Sequence, residues 1–536
     1  MKASMGEMIG QRLMLAFQGK EQLSAEIRKA IKQFRPGGMT LFRSHNIDDP
    51  PQVKHLTDLL QSAAREARLP PLLIAADQEG GQLMAVGNGT TLLPGNMALG
   101  ATGSTDLSRR AGEVLGRELA AMGINVNYAP CCDVNSNPDN PVIGIRSFGE
   151  NPAAVAELAS AMVTGIQSAG VAASAKHFPG HGDTTSDSHA ELPVVSHALL
   201  RLRAVEFPPF ESAIRAGTKM VMTAHLALPA IDGLDASPAT LSSAVLKGLL
   251  RNQLGFQGVI ITDAMDMHAI TQGNALGANA VRAAASGADL LLMTTDPNDQ
   301  DLVHTNLLRA AKDGTLAAQD LTDSAERISS LKRWLANRET KYGLDVVGCS
   351  DHRRVADEIA SRSITLVRDH AKILPLCLAS GQRAAVIVPR PVDLTPADTS
   401  SYESPALASA FRKYHPETDE YSVSHAPTQQ EIAGVLDRIS NYSLVVIGTL
   451  NAFSERRQQE LVHQILLRNI PTIVIAMRLP YDLMSFPGAP TYVCTYSLLE
   501  PSMGAVASAL FGRGKFQGRL PVSIPHLYPA GYPSDL

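Results

Sequence analysis

The sequence predicts an α/β chain in two parts: a (β/α)8 TIM-type barrel followed by a smaller α/β sandwich domain. Three observations lead there. Over roughly the first 335 residues, eight short apolar runs alternate with amphipathic helical stretches. The polar residues that stand out sit at the C-terminal ends of those runs, where a barrel assembles its active site. Beyond a linker, a second and shorter set of strand and helix patterns begins.

The eight runs are Arg12–Phe17, Gly38–Phe42, Leu72–Asp77, Asn125–Pro130, Val171–His177, Met220–His225, Val259–Asp263 and Asp289–Met293. Between them lie helical patterns such as Val53–Ala67, Leu107–Ala121, Ala153–Ala169 and Ala275–Ser286. An open α/β sheet is the competing arrangement, and it would need fewer strands and a phosphate-type glycine turn. Asp77 closes the third run, Lys176 and His177 the fifth, His225 the sixth and Asp263 the seventh. The barrel therefore covers 1–337, ending with the helix Asp320–Asn337. Residues 338–352, including RETKYGLDVVGCS at 338–350, form a linker, and 353–536 form the second domain. That domain has a helix near Asp351–Arg362 and strands at Ala384–Val388, Leu444–Ile447, Thr472–Ala476 and Thr491–Cys494.

Composition narrows the function. A chain of 536 residues exceeds one ordinary core, and 45% hydrophobic with 18% charged residues is globular rather than disordered. A net charge of -5 gives no basic footprint for nucleic acid and disfavours anionic membranes. No apolar stretch is long enough to cross a bilayer. The five cysteines match no zinc spacing, and adjacent Cys131 and Cys132 read as reduced core residues. The N-terminus lacks a long apolar region and a cleavage site. These features predict a soluble cytoplasmic protein, with secretion open if a signal peptide has been removed.

The densest chemistry lies in KHFPGHGDTTSDSHAELP, Lys176–Pro193. It holds His177, His181 and His189 with Asp183, Asp187 and Glu191, and its glycines make it an exposed turn-like loop. In an extended Asp187-Ser188-His189 segment, residues i and i+2 share a side. The carboxylate then fixes one imidazole nitrogen and leaves the other to exchange a proton. The same loop also offers His177, His181, Asp183 and His189 as metal ligands, without the tight helical spacing of a metallohydrolase. In GVIITDAMDM, Gly258–Met267, Asp263 ends a strand and the chain turns into a helix, with Asp266 on its first turn. A carboxylate there suits attack on an anomeric carbon, and it equally suits helix capping. Asp77, in LLIAADQEGG, suits a diol, while Arg146, Lys176 and His177 suit donation to other hydroxyls. His225 joins this candidate binding set.

Together these motifs resemble glycoside hydrolase family 3, and more narrowly its two-domain bacterial β-N-acetylglucosaminidases. The resemblance rests on DQEGG at 77–81, NYAP at 127–130, IGIRSFGE at 143–150, KHFPGHGDTTSDSH at 176–189, MTAH at 222–225, SPATLS at 237–242 and ITDAMDM at 261–267. The second domain adds SRSITLV at 361–367, ILPL at 373–376 and GRLPVSIP at 518–525. The resemblance implies Asp263 as nucleophile, His189 as acid/base oriented by Asp187, and Asp77, Arg146, Lys176 and His177 around the non-reducing sugar. It implies a retaining exo-β-N-acetylhexosaminidase with no cofactor and no catalytic metal. Its substrate would be an N-acetylglucosamine-containing glycoside or muropeptide, plausible in peptidoglycan recycling. The chain departs from the family at EGGQLMAVGNGTTLLP, 79–94, where basic residues are expected. That leaves open a muramyl or a neutral leaving group. A phosphorylase and a family 3 β-glucosidase remain open on the same scaffold. Outside that class stand a metal-dependent barrel hydrolase and a non-catalytic sugar-binding protein. The second domain reads as structural, packing on the barrel or supporting a homodimer.

Overall fold

The computed structural model describes residues 4–188, 191–270, 275–338 and 342–533. All eight apolar runs form strands of one parallel sheet. In chain order these are Leu13–Ala16, Gly38–Thr40, Leu73–Ala76, Val126–Asn127, Ala172–Phe178, Met220–Thr223, Val259–Thr262 and Leu291–Leu292. The first strand pairs with the second and the eighth. The seventh closes onto the eighth through the bridge Ile261–Leu290, with Thr262 N–H donating to the Leu290 carbonyl.

Alternation along these strands splits the apolar side chains between two cores. Met14, Leu73, Ala75, Met220, Met222, Val259 and Ile261 pack together with Ile328 and Leu331 of the helix Ala318–Ala336. That helix thus adds apolar side chains to the inner core of the barrel. The alternate set, including Leu13, Leu15, Ile74, Val221 and Ile260, packs with apolar side chains of the surrounding helices. Helix starts carry sequence-encoded caps. The side chains of Ser24, Asp49, Ser104 and Asn151 each accept a backbone N–H of the first turn.

The second domain is a six-stranded sheet in the order Thr365–Asp369, Thr491–Cys494, Thr472–Ala476, Leu444–Thr449, Ala384–Pro389, Thr418–Val423. The first two strands pair antiparallel and the rest are parallel. Four of these strands match the sequence expectation. Thr418–Val423 has partly exposed charged and polar side chains at the sheet edge, and Thr365–Asp369 follows directly on the helix Ser350–Ser363.

The two halves are joined through the stretch that lacks the family's basic residues. Gln78–Gly80 and Leu83–Met84 form a small hairpin. At its turn, Gln82 Oε1 accepts from Arg478 Nη2 (2.6 Å), Gln82 Nε2 donates to the Ala397 carbonyl (3.2 Å), and the Gln82 carbonyl accepts from Thr399 N–H (2.8 Å). A neutral amide here donates to one partner and accepts from another, which a cation cannot do.

Candidate active site

The strand ends open onto a cavity of about 260 Å³, walled by Asp77, Arg146, Lys176, His177 and Asp263 among others. Ligand sites run from roughly 300 Å³ upward, so the enclosed part is sized for one small ring.

A four-charge cluster forms one wall. Lys176 Nζ donates to Asp77 Oδ1 (2.6 Å) and lies 2.7 Å from Glu79 Oε1. Arg146 grips Glu79 with two hydrogen bonds, Nη2–Oε1 at 2.8 Å and Nε–Oε2 at 3.1 Å. Burial alone would push the Glu79 carboxyl up, but Arg146 and Lys176 outweigh it and hold the pKa at about 2. Burial opposes the Lys176 charge, and Asp77 and Glu79 more than offset that, raising its pKa. Glu79 is almost fully enclosed, whereas the Asp77 side chain keeps 23% of its surface. Asp77 is thus the acceptor that faces the cavity, and Glu79 holds the two cations behind it.

His177 lines the cavity with its ring already engaged. Its Nδ1 lies 2.7 Å from Asp133 Oδ2 and its Nε2 lies 3.2 Å from Arg146 Nη2. The carboxylate and the guanidinium together favour the tautomer that donates from Nδ1. Asp133 also accepts from the His181 backbone N–H (2.7 Å). Burial pushes the Asp133 carboxyl up, and the His177 and His181 rings reverse this, leaving it lowered.

The loop after the fifth strand is fastened at several points. His181 Nδ1 meets the Thr184 hydroxyl (2.7 Å) and Nε2 meets the Ser188 hydroxyl (3.1 Å). Burial, with the nearby His177, lowers the His181 pKa to about 4, so the ring is neutral at pH 7. Asp183 pairs with His197 and accepts from the Ser136 hydroxyl. The Asp187 carbonyl accepts from Glu191 N–H (3.1 Å). Asp187 is half-buried and Ser188 buried, while His189 lies outside the described residues.

Asp263 follows the seventh strand directly. Its backbone N–H donates to Thr223 O (3.2 Å), and its Oδ1 accepts from Ala264 N–H (2.8 Å). The expected helix does not start there. Residues 264–270 run through turns and the helix is Leu276–Ser286, so Asp263 caps no helix and Asp266 is not on a helical turn.

His225 is fully buried and absent from the cavity wall; Nδ1 meets the Thr240 hydroxyl (2.8 Å) and Nε2 donates to the Ala264 carbonyl (2.9 Å). Its ring thus abuts the residue next to Asp263.

Of the loop's candidate metal ligands that are described, Asp183 turns to His197, and the His181 nitrogens go to Thr184 and Ser188; His189 lies outside the described residues. Among the described residues, Cys131, Asp133 and His177 do bring donor atoms within 4.8 Å of one another. Their donors are spent on each other, with the Cys131 thiol 3.0 Å from Asp133, and burial holds that thiol strongly protonated.

The sequence reading missed Glu79 and Asp133. Glu79 stands two residues from Asp77 in the quoted DQEGG motif, so its position was visible and its role was not. Asp133 lies just past the fourth run in an apolar context that gave no signal. The second domain also reaches the cavity, through Asp393, Asp398, Thr399 and Tyr402.

Residues 4–331 match the model of the glycosyl hydrolase family 3 N-terminal domain. Beta-hexosaminidase A of Pseudoalteromonas piscicida is 31% identical, covering 97% of each chain. A beta-N-acetylglucosaminidase/beta-glucosidase of Cellulomonas fimi is 31% identical, covering 84% of this chain and 83% of its own. Among solved structures, a glycoside hydrolase family 3 beta-N-acetylglucosaminidase from Paenibacillus sp. str. FPU-7 superposes with a TM-score of 0.92 at 36% identity, covering 98% of this chain and 99% of that one.

Proposed function

Since the chain belongs to glycosyl hydrolase family 3, we propose that it is a retaining exo-β-N-acetylhexosaminidase releasing terminal β-linked N-acetylglucosamine. The observation that supports this is that Asp263, directly after the seventh strand, lines the same cavity as Asp77, which is backed by Lys176, Glu79 and Arg146. The family and the hexosaminidase names of long-coverage relatives support the class.

In this reading Asp263 attacks the anomeric carbon as His189 protonates the leaving oxygen, through an oxocarbenium-like transition state. The C1–O bond breaks as the C1–Asp263 bond forms. His189, then neutral, takes a proton from water, which displaces Asp263 and restores the β configuration. Asp187 orients His189. Asp77 accepts from sugar hydroxyls, and Lys176, itself paired with Glu79, holds it in place. His177 walls the ring, and His225 steadies the Ala264 carbonyl beside the nucleophile.

We also assign 1–337 to the barrel, 338–352 to a linker and 353–536 to the second domain. In support, the last barrel helix ends at Ala336 and the family match ends at 331, although the helix Ser350–Ser363 begins within the linker. Five free cysteines, three of them buried, support a cytoplasmic, reducing setting, and peptidoglycan fragments would be one source of substrate there. No described helix is long and apolar enough to cross a membrane.

The test is steady-state turnover of 4-nitrophenyl β-N-acetylglucosaminide and β-glucoside, with and without phosphate, by wild type and Asp263→Ala. The N-acetyl substrate is expected to dominate, and the substitution to remove roughly four powers of ten or more in kcat. Preference for the glucoside, or activity surviving loss of Asp263, refutes the assignment; acceleration by phosphate makes the enzyme a phosphorylase.

A further inference from the structure

The outer part of the cavity is built by a different set of groups from its floor. The floor residues Arg146, Lys176 and His177 are all buried, whereas Ser44, Asp393 and Tyr402 at the rim are exposed, Tyr402 by 54%. In an exo-acting glycosidase the terminal sugar occupies the closed end, so its leaving group lies toward this rim. The rim joins the segment Phe42–Ser44, after the second barrel strand, to residues 393–402 of the second domain.

The cations at and behind the rim are already matched. Arg43 is enclosed: it donates to the Met84 carbonyl (3.3 Å), lies 3.5 Å from Glu403 Oε1, and stacks over the Tyr402 ring at 4.1 Å. Gly87 packs so close that a Cβ there would meet the Arg43 guanidinium at 2.5 Å. Arg478 spends both terminal nitrogens, on Asp398 (2.9 Å), Ser400 (2.8 Å) and Gln82 (2.6 Å). Asp393 is different: its carboxylate accepts from the Ser401 N–H and hydroxyl, each at 2.8 Å, which are neutral donors. Among the described residues, the rim therefore holds one cation, Arg43, paired with Glu403, and a carboxylate at Asp393, while Arg478 behind the rim is paired with Asp398. An incoming anion would have to break a buried pair to find a cation, and would meet Asp393 on the way.

We propose that Arg43, Asp393 and Tyr402 form a leaving-group subsite that selects a neutral sugar, of the N-acetylglucosamine type, over one bearing a carboxylate. The proposal rests on the hexosaminidase reading and specifies its substrate. Tyr402, fixed by Arg43, offers the aromatic edge of the subsite, and Asp393 accepts from hydroxyl or amide groups of the leaving sugar while repelling an acidic substituent.

The experiment compares kcat/KM for N,N′-diacetylchitobiose and for the N-acetylglucosaminyl-N-acetylmuramic acid disaccharide at pH 7, in wild type, Asp393→Asn and Asp393→Lys. Asp393→Asn keeps acceptors for Ser401 and removes the charge; Asp393→Lys reverses it. Wild type is expected to prefer the neutral disaccharide by about tenfold or more. The preference should shrink in Asp393→Asn and shrink further, by about fivefold or more, in Asp393→Lys. The change should fade in 0.5 M salt, as screening requires for an exposed charge. A wild type that cleaves the acidic disaccharide as well as the neutral one overturns the proposal, and so does a ratio that ignores the charge at 393. A steric bar alone would give that second result. Failure on 4-nitrophenyl β-N-acetylglucosaminide as well would sink the hexosaminidase reading itself, whereas turnover of that substrate with the wrong ratio overturns only the subsite.

Discussion

Glu79 shows how much of the site depends on a residue that does not face the ligand. Two buried cations share its carboxylate, Arg146 through two hydrogen bonds and Lys176 at 2.7 Å. Replacing it with glutamine keeps the shape but leaves these cations under-compensated in a low-dielectric wall. Breaking a buried pair in this way costs about 3–5 kcal/mol, so Glu79→Gln should lower the urea midpoint markedly and raise KM as Asp77 loses its fixed neighbour Lys176. The pH dependence has a definite sign. The folded-state pKa of Glu79 is about 2, below its ordinary 4.5. Between those values the unfolded chain binds more protons, so the contribution is complete above about 4.5 and is lost as pH falls toward 2. The variant should show a shallower loss of stability over that acid window; equal slopes in wild type and variant would refute the assignment. The proposed proton donor permits a second test. His189→Ala should impair substrates with poor leaving groups far more than activated aryl glycosides, which need little protonation. Equal losses on both would remove His189 from that role.

At the scale of elements, the strands were legible because burial on both faces of a parallel sheet writes them as nearly continuous apolar runs. Val259–Thr262 and Thr472–Ala476 are plain in the sequence for that reason, and all their residues are buried. Thr418–Val423 was not, because an edge strand half open to water carries Asp419, Glu420 and Ser422. The turn after Asp263 was misread as a helix start because the composition of residues 264–270 suits either. The loop after the fifth strand was legible as a functional element from its histidines and glycines. Its fastening was not, since contacts such as Asp183 with His197 or His181 with Asp133 are set by tertiary folding alone. Gly182 marks where that fastening is tightest: a Cβ there would lie 1.8 Å from the Val134 carbonyl oxygen. Gly182→Ala must push the loop away from the fourth strand's exit, and with it Ser188 and the neighbouring Asp187. A displacement of about 1 Å at a reacting group costs on the order of 100-fold in rate. The expected result is a fall of about that size in kcat for the N-acetyl substrate, with the far-UV spectrum unchanged. Wild-type kcat in this variant would show that the loop's seat on Val134 does not position the acid/base.

For the whole molecule, the question is whether barrel and second domain are separate cooperative units. The packing argues that they are one. A single contiguous apolar core contains both barrel residues such as Leu115 and Ile166 and second-domain residues such as Val445 and Ile475's neighbours Val474 and Ala476. Buried polar groups cross the boundary too. Glu118, on the barrel helix Thr105–Ala121, accepts from Thr91 N–H and hydroxyl on its own side, and from Gly348 N–H (2.9 Å) and His352 Nδ1 (2.8 Å) in the linker that leads into the second domain. Glu150 does the same at the far end, accepting from Ser523 N–H (2.8 Å) and hydroxyl (2.6 Å). The chain's one tryptophan, Trp334, lies on the last barrel helix and reports that half alone. Its fluorescence should therefore lose native character at the same urea concentration at which far-UV circular dichroism reports the whole chain. Glu118→Ala strips four buried donors of their acceptor, at about 1–3 kcal/mol for an unsatisfied group. Both midpoints should then move down together by several kcal/mol equivalent. If the two probes separate in wild type, the barrel unfolds independently and the shared core contributes little; if they separate only in Glu118→Ala, this carboxylate is the contact through which the halves stay coupled, and the second domain's hold on the cavity rim should weaken with it.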